Sequence, residues 1–406
     1  MSLVKPVPNA REFYPMCEPE IGTVLSSKNE TPILFKPLTI RGVTFRNRIW
    51  LSPMCQYSSD DGHATDHHLV HLGSYATHGV GAIVIEATAV VPEGRISPED
   101  SGLWKDSQIA PLKRIVDFAH AHGAKIGIQI GHAGRKASTV SPFVTKPDGK
   151  HALTSDEAGW PDQVYAASAI PFVPEVYPDP QEATEEYIKT VIDAFVAAAK
   201  RAEKAGFDFI EIHAAHGYFL NTFLSPLSNT RTDKYGGSLE NRMRLTIEVS
   251  QRLREAWPAD KPLFIRITAV DWAEGPEKDE SGKWLQWGIE QSIVLAKRLQ
   301  EVGVDLVDVS SGGLWAAQKI TVGPGYQSGF AAQIKKAVPN LLISAVGAIT
   351  EPEQAETYLK EGRADVITMA RELLRNPSWP LYASKKLGVE IQPSNQQAAG
   401  WFRYRV

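Results

Sequence analysis

Short runs rich in β-branched and other apolar residues alternate along the chain with longer segments whose apolar residues recur at helical spacing. The apolar runs lie at residues 49–52, 82–86, 125–130, 209–213, 263–268, 306–310, 342–346 and 366–369. The helical segments between them include residues 112–122, 184–205, 239–256, 288–302, 329–337 and 352–361. Such alternation favours parallel strands joined by right-handed crossovers. The pattern therefore predicts an α/β protein built as a single (β/α)8 TIM barrel.

The segments outside this alternation predict what closes one end of the barrel and what surrounds its pocket. Residues 34–49 alternate apolar and polar positions around Arg41-Gly42, the pattern of an N-terminal β-hairpin that plugs the bottom of a barrel. The connections after the third and fifth strands, residues 135–183 and 271–287, are too long to be simple links. Neither has the apolar periodicity of a small inserted domain, which is the alternative, so we expect long loops that wall a pocket. The predicted division is an N-terminal extension (1–32), the barrel (33–385) and a C-terminal tail (386–406).

Composition narrows the class of protein. The 406 residues are 43% hydrophobic and 22% charged with a net charge of −4, so neither a nucleic-acid partner nor a membrane surface is expected. No apolar run reaches the length of a membrane span and the first residues lack a signal-peptide core, which favours a cytoplasmic enzyme. The two cysteines, Cys17 and Cys55, are too few for a disulfide framework or a four-cysteine iron–sulfur cluster.

The strand predicted at residues 209–213 ends in titratable side chains, as strands do at the catalytic rim of a barrel. His213 and His216 stand three residues apart, and Tyr218 follows two residues later. Two imidazoles and a phenol can donate two hydrogen bonds to a carbonyl oxygen and supply a proton beside it, which would polarise an enone. From spacing alone, a hydrogen-bonded rim or a metal pair stays open as an alternative to this carbonyl clamp.

The wider stretch IEIHAAHGYFLNTFLSPLSNTRTDKYGGSLENRMR, residues 210–244, resembles the signature of the old yellow enzyme family of FMN-dependent ene-reductases. The motif SPMCQYS at residues 52–58 is similar to that of the cysteine-bearing, thermophilic-like subclass. The resemblance implies an FMN-binding barrel that oxidises NADPH and reduces the activated C=C bond of α,β-unsaturated carbonyl compounds. His213 and His216 would then bind and polarise the carbonyl, and Tyr218 would protonate the α-carbon.

A cofactor site follows from the ends of the other strands. Arg266 lies inside a strand, where an arginine needs a negative partner, and the reduced flavin supplies one. The segments after strands six to eight, of which the first two contain glycines, lie where barrels bind phosphate, with Arg371 as the cation. The resemblance implies that Cys55 tunes the flavin, that Tyr57 helps bind substrate and that Gln129 pairs with the flavin pyrimidine. The predicted cofactor-binding residues are Ser52, Pro53, Met54, Cys55, Ala87, Gln129, Arg266, Gly313, Gly347, Ala370 and Arg371, although the family more usually has Gly where Ala370 stands.

Neither a metal site nor a Rossmann domain is predicted. His67 and His71 have the spacing of a helical metal pair, but no acidic or Cys ligand accompanies them, so we assign no metal. Gly79-Val80-Gly81 lacks the third glycine of a dinucleotide fingerprint and precedes a strand instead of following one. NADPH would therefore enter the same pocket as the enone.

The C-terminal residues 400–406 contain aromatic residues and arginines that are unlike a disordered tail. The resembling subclass inserts a C-terminal arginine into a neighbouring subunit, which predicts a homodimer or tetramer with Arg403, or alternatively Arg405, as a substrate-binding residue. Two rival functions stay open. One is a flavin-dependent isomerase or demethylating dehydrogenase, and the other is a flavinless barrel lyase that binds a phosphate.

Overall fold

Eight parallel strands close into a barrel in the computed structural model of the protein, which describes residues 17–401. Around the barrel β4, β5, β6, β9, β10, β11, β12 and β13 follow one another, and β13 pairs with β4 to close it. The strands are β1 (Val24–Ser27), β2 (Leu38–Ile40), β3 (Val43–Phe45), β4 (Ile49–Leu51), β5 (Ala82–Ala89), β6 (Lys125–Gly131), β7 (Tyr165–Ala166), β8 (Gln181–Glu182), β9 (Phe209–Ala214), β10 (Leu263–Thr268), β11 (Leu306–Ser310), β12 (Leu342–Ala345), β13 (Val366–Met369) and β14 (Val389–Ile391). The predicted (β/α)8 fold is confirmed.

Amphipathic helices cover the outside of the barrel. Those of the described chain are α1 (Asp66–His78), α2 (Ile109–Ala121), α3 (Glu185–Ala205), α4 (Phe219–Leu224), α5 (Leu239–Ala256), α6 (Ile289–Glu301), α7 (Ser328–Ala337), α8 (Pro352–Lys360), α9 (Arg371–Arg375) and α10 (Trp379–Lys386). The two longest begin with side-chain caps, since Thr184 accepts the amide of Tyr187 and Ser238 accepts the amide of Asn241. No helix among residues 17–401 is long and apolar enough to cross a bilayer.

The predicted strands agree with the observed ones except at their ends. The largest difference is at β5, which continues to Ala89 instead of ending at residue 86. Its pairing with β6 is interrupted between Ile85 and Thr88 and then resumes. The interruption leaves Glu86 and Ala87 in an irregular segment at the carboxyl end of the barrel, and such bulges re-aim side chains next to active sites.

The predicted hairpin plug forms from β2 and β3, which pair antiparallel around Arg41-Gly42. Phe45 on β3 is fully buried and lies against aromatic residues that project inward from three barrel strands. Its ring centroid is 4.5 Å from that of Trp50, 5.7 Å from that of Phe209 and 6.3 Å from that of Phe264. This aromatic layer closes the amino-terminal end of the barrel.

The long loops lie at the opposite, carboxyl end, where the fold places functional residues. The loop after β6 is held by Arg135, which is 1% exposed and donates to the carbonyl oxygens of Ile170 at 3.2 Å and Leu314 at 2.6 Å. The loop after β10 is held by Asp271, whose carboxylate accepts the amide of Trp287 at 2.9 Å and the hydroxyl of Ser225, which follows α4, at 2.5 Å. Both loops are therefore fixed to the barrel rim by buried polar contacts.

A small antiparallel sheet lies outside the barrel. Its strand β1 belongs to the predicted N-terminal extension, and its strand β14 belongs to the predicted C-terminal tail. Trp401 also packs against its own chain, with the Lys385 ammonium 4.7 Å from the centre of its ring. The two ends of the described chain are therefore joined on one side of the barrel.

Replacing Phe45 by Ala should destabilise the fold by about 3–5 kcal/mol, because it empties the centre of the aromatic layer. Thr44→Ala is the matched control, since Thr44 is the exposed neighbour on the same strand and should cost less than about 0.5 kcal/mol. Urea denaturation followed by circular dichroism measures both changes. Equal stability of the two variants would show that the hairpin does not close the barrel.

Candidate active site

The carboxyl end of β9 brings the three predicted catalytic side chains together. After the strand, His216 adopts a left-handed backbone conformation with φ of 60°, and Gly217 follows at 75°. The turn is fixed because the amide of His216 donates to Thr268 Oγ1 at 2.8 Å. As a result the ring centroid of His213 lies 5.3 Å from that of His216 and 4.7 Å from that of Tyr218.

Both histidines of this group are neutral. Burial, assisted by the positive charge of Arg266, lowers the pKa of His213 and of His216 well below the ordinary value. His213 Nδ1 accepts the amide of Ala215 at 3.2 Å, so its single ring proton is on Nε2. His216 Nε2 lies 2.7 Å from Ser310 Oγ, which leaves Nδ1 as its free ring nitrogen.

Tyr218, like Cys55 and Tyr57, packs against an apolar cluster formed by Ile96, Ala133, Ala137 and Val164. Burial is the main cause that raises the pKa of each of these three groups above its ordinary value. The two phenols and the thiol therefore keep their protons at neutral pH.

Lys136 is a residue of this site to which the sequence analysis assigned no role. Its ammonium donates to the carbonyl oxygen of His216 at 2.8 Å and to that of Gly313, which joins the turn after β9 to the loop after β11. It also lies 3.9 Å from the centre of the Phe172 ring. Burial lowers the pKa of Lys136 to about 7. In the sequence, the signal for a role at the site was that Lys136 lies in the loop that follows barrel strand β6.

Beside this group, a cavity of about 370 Å³ opens between the ends of β10, β12 and β13. It is lined by four of the predicted cofactor residues, namely Arg266, Gly347, Ala370 and Arg371. Gly347 has φ of 112°, and a Cβ there would lie 2.6 Å from Gln327 Nε2. Arg371 is exposed at this cavity, and its side chain has neither a hydrogen bond nor an ion pair with any residue from 17 to 401. An unpaired arginine beside a glycine cradle fits a bound phosphate.

The barrel interior next to the cavity holds the remaining polar groups. Arg266 Nη1 donates to Ser52 Oγ at 3.0 Å, and Arg266 Nε lies 3.2 Å from Asp308 Oδ2. Neither Nε nor Oδ2 has a hydrogen-bond partner among the described residues, because their alignment is poor. Gln129 Nε2 donates to Glu211 Oε1 at 2.7 Å. Sequence analysis missed Glu211 and Asp308, although charged residues inside otherwise apolar strands were a signal.

The other predicted residues occupy the same rim. Pro53 and Met54 follow β4, and Ala87 lies in the irregular segment of β5. Gly313, with φ of 85°, packs beneath His216, where a Cβ would lie 2.7 Å from the His216 Cα. Arg403 and its alternative Arg405 lie outside the described residues. In the part of the chain from 17 to 401, no three His, Cys, Asp or Glu side chains are grouped as metal ligands would be.

These features fit a flavin mononucleotide. The guanidinium of Arg266, whose Nε has no hydrogen-bond partner among residues 17–401, lines the cavity from the barrel interior, and the glycine cradle with Arg371 lies at its other side. The Arg266 guanidinium is suited to a charged edge of the flavin ring, and the glycine cradle with Arg371 is suited to the phosphate.

Comparison with known proteins also indicates a flavin-binding oxidoreductase. Residues 33–390 match the family described as NADH:flavin oxidoreductase / NADH oxidase. The chain belongs to this family. The predictions of an old yellow enzyme-type oxidoreductase, of FMN as cofactor and of a nicotinamide nucleotide as reductant are thereby confirmed at the level of the family. Membership also argues against the flavinless lyase.

Individual members of the NADH:flavin oxidoreductase family are close in length and sequence. The chain is 48% identical to an NADH:flavin oxidoreductase of Gibberella zeae, over 95% of this chain and 92% of that protein. It is 47% identical to an NADPH dehydrogenase of Geobacillus sp., over 91% of this chain and 98% of that one. Among solved structures, morphinone reductase is similar at a TM-score of 0.68 and 26% identity, over 90% of this chain and 92% of that chain.

His213 and His216 should remain neutral over the window in which free histidine titrates, because burial lowers the pKa of both well below the ordinary value. NMR spectra of protein labelled at histidine Cε1 test this, with the two resonances assigned from single His213→Gln and His216→Gln variants and free histidine as the reference. A resonance of either residue that titrates within the window would contradict the expectation.

Gly347→Ala should abolish retention of FMN, because the new methyl group would meet Gln327 and enter the cradle. Gly362→Ala is the matched control, since Gly362 also has a positive φ, 67°, but a Cβ there would meet nothing within 4 Å. Flavin absorbance per protein after desalting measures occupancy, and circular dichroism checks folding. Equal occupancy of both variants would remove Gly347 from the cofactor site.

Proposed function

We propose that the protein is an FMN-dependent ene-reductase that oxidises NADPH and reduces the activated C=C bond of α,β-unsaturated carbonyl compounds. One observation carries the proposal: two neutral histidines and one protonated tyrosine converge at the end of β9, beside the cavity that fits FMN. FMN, when bound, accepts hydride from NADPH and supplies hydride to the C=C bond. The protein residues bind the carbonyl, hold its charge and deliver the proton.

His213 and His216 act as hydrogen-bond donors to the carbonyl oxygen of the substrate. Negative charge gathers on this oxygen as the β-carbon receives hydride, so donors fixed in advance stabilise the transition state more than the ground state. Neutral imidazoles suit this role, because they donate without losing a proton to the oxygen. His213 offers Nε2–H, since its Nδ1 is occupied by the amide of Ala215.

Ser310 decides whether His216 can act as the second donor. When its hydroxyl donates to Nε2 of His216, 2.7 Å away, the ring proton is on Nδ1 and is free for the substrate. The competing acceptor for the same hydroxyl is Gln327 Oε1, at the longer distance of 3.4 Å. Ser310 is therefore a positioning residue that fixes the tautomer of His216.

Tyr218 supplies the proton for the α-carbon. Burial keeps its phenol protonated over the neutral range, and its ring stands edge-on to His213, next to the position of the carbonyl. Tyr57 helps bind the substrate from the other side of the shared apolar cluster. Cys55, whose raised pKa makes it a neutral thiol, tunes the flavin and does not attack the substrate.

NADPH and the enone use the same pocket in turn. Gly79 ends α1 in a left-handed conformation, and a Cβ on Gly81 would lie 2.3 Å from the carbonyl oxygen of Asn47, so both glycines have packing roles. They therefore do not form a dinucleotide-binding turn. Relatives named NADPH dehydrogenase support NADPH as the reductant.

A second subunit completes the site in this proposal. The motivation is the tail at residues 400–406, whose arginines suit a substrate oxygen, with Arg403 as the first candidate. Removal of residues 402–406 should then raise KM for the enone and weaken association, as measured by steady-state kinetics and light scattering. A truncated enzyme with unchanged assembly and kinetics would refute the proposal that the tail enters the site of a second subunit.

The reaction class is tested by anaerobic stopped-flow absorbance. NADPH should bleach the flavin band of the purified protein, and 2-cyclohexenone should restore it. Protein that contains no flavin would refute the proposed cofactor, whereas flavin that is reduced but not reoxidised by any enone of a panel would refute only the substrate class.

Tyr218→Phe separates the two half-reactions. Reduction by NADPH should continue at its normal rate, while reoxidation by the enone should slow by roughly a hundredfold or more, as expected when a general acid is lost. Tyr177→Phe is the control, because Tyr177 is another phenol on the loop after β6 and its pKa is also raised by burial. Equal losses in both half-reactions of Tyr218→Phe would indicate a packing role.

A further inference from the structure

Three charged side chains lie together inside the barrel below the catalytic rim. Glu211 on β9, Arg266 on β10 and Asp308 on β11 are 2%, 7% and 0% exposed. Arg266 pairs in register with Asp308, and Glu211 pairs in register with Gln129 of β6. If all three groups were ionised, the cluster would carry one uncompensated negative charge. An unpaired charge inside a protein is costly, so one of the two carboxyl groups must be protonated.

The contacts of Asp308 identify it as the partner of the guanidinium. Asp308 Oδ2 lies 3.2 Å from Arg266 Nε, and Asp308 Oδ1 accepts hydroxyl groups from Ser344 and from Thr368. Glu211, by contrast, has a neutral donor, the amide of Gln129. The negative charge of the ion pair therefore belongs to Asp308, and Glu211 is the carboxyl group without a counter-charge of its own.

Electrostatics agrees with this assignment. Burial raises the pKa of Glu211 to about 8, and the charge of Asp308 acts in the same direction, whereas Arg266 and the Gln129 hydrogen bond oppose them. Among the polar side chains of the neighbouring strands, His213 on the same strand as Glu211 is neutral, and β4, β12 and β13 present the hydroxyls of Ser52, Ser344 and Thr368. At neutral pH the cluster is therefore balanced.

We propose that Glu211 binds and releases a proton in step with the redox state of the bound flavin. The inference rests on the proposed FMN site beside Arg266. With Glu211 protonated, Asp308 is the carboxylate that pairs with Arg266, and the guanidinium can also interact with the negative charge that two-electron reduction adds to the flavin. With Glu211 ionised, that added charge meets a second negative charge inside the barrel. Reduction then favours return of the proton to Glu211.

The number of protons that the enzyme takes up with two electrons depends on pH. Below about pH 8 Glu211 is already protonated, and two electrons enter the flavin with one proton. Above this pH Glu211 is ionised in the oxidised enzyme, and the added negative charge raises its affinity for a proton. Two electrons, supplied by NADPH or by an electrode, then enter with two protons, of which one goes to the flavin and one to the Glu211 carboxylate.

The midpoint potential of the bound FMN, measured by spectroelectrochemistry from pH 6 to 10, tests the proposal. For the wild-type enzyme, the slope of potential against pH should double above about pH 8, as proton uptake rises from one to two per two electrons. Glu211→Gln preserves an acceptor for Gln129 but cannot ionise, so its slope should stay at one proton throughout.

Asp100→Asn is the matched control, because burial also raises the pKa of Asp100 to about 8, yet Asp100 lines a different small cavity with Tyr218 and His213. The break in slope should persist in this variant. The proposal is overturned if the wild-type slope shows no break, even where Glu211→Gln fails to retain FMN. It is also overturned if the break is lost in Asp100→Asn but kept in Glu211→Gln. Because the measurement needs bound flavin but no enone, these outcomes differ from a failure of the proposed reaction.

Discussion

Closure of the barrel is the constraint on which every other feature depends. Hydrogen bonding between β13 and β4 joins the last strand of the sheet to the first, and parallel pairing then forces all eight carboxyl ends onto one rim. Residues far apart in sequence meet there, as when Lys136 reaches the carbonyl groups of His216 and Gly313. The hairpin plug matters for the same reason, since an aromatic layer at one end leaves only the other end open to a ligand.

Exclusion of water explains the protonation states of the site without a separate cause for each residue. Burial disfavours every charged form, so the imidazoles of His213 and His216 lose their protons while the phenol of Tyr218 and the thiol of Cys55 keep theirs. Such a site presents neutral hydrogen-bond donors to its ligand. The guanidinium of Arg266 is a charged group inside this buried site, and the carboxylate of Asp308 compensates its charge.

The sequence predicted the barrel, its hairpin and its long loops, because these depend on periodicities of apolar residues that tertiary contacts do not override. It also placed the histidines and Tyr218 on one turn, since they are local. It could not predict which groups meet across strands: the contacts of Glu211 with Gln129 and of Arg266 with Asp308 depend on register and shear. The pairing of β1 with β14 was equally invisible, because both strands are short and lie at opposite ends of the chain.

That pairing of β1 with β14 brings together the two ends of the part of the chain that the structure describes. The cost in entropy of bringing two distant ends together grows only with the logarithm of the length between them, so even a short sheet can hold them. A covalent linker between the neighbourhoods of Val24 and Ile391 would thus span a short distance, and new termini could be opened at the exposed turn of Gly362, between α8 and the amino-terminal end of β13. The fold is in this respect suited to circular permutation, with the catalytic rim left intact.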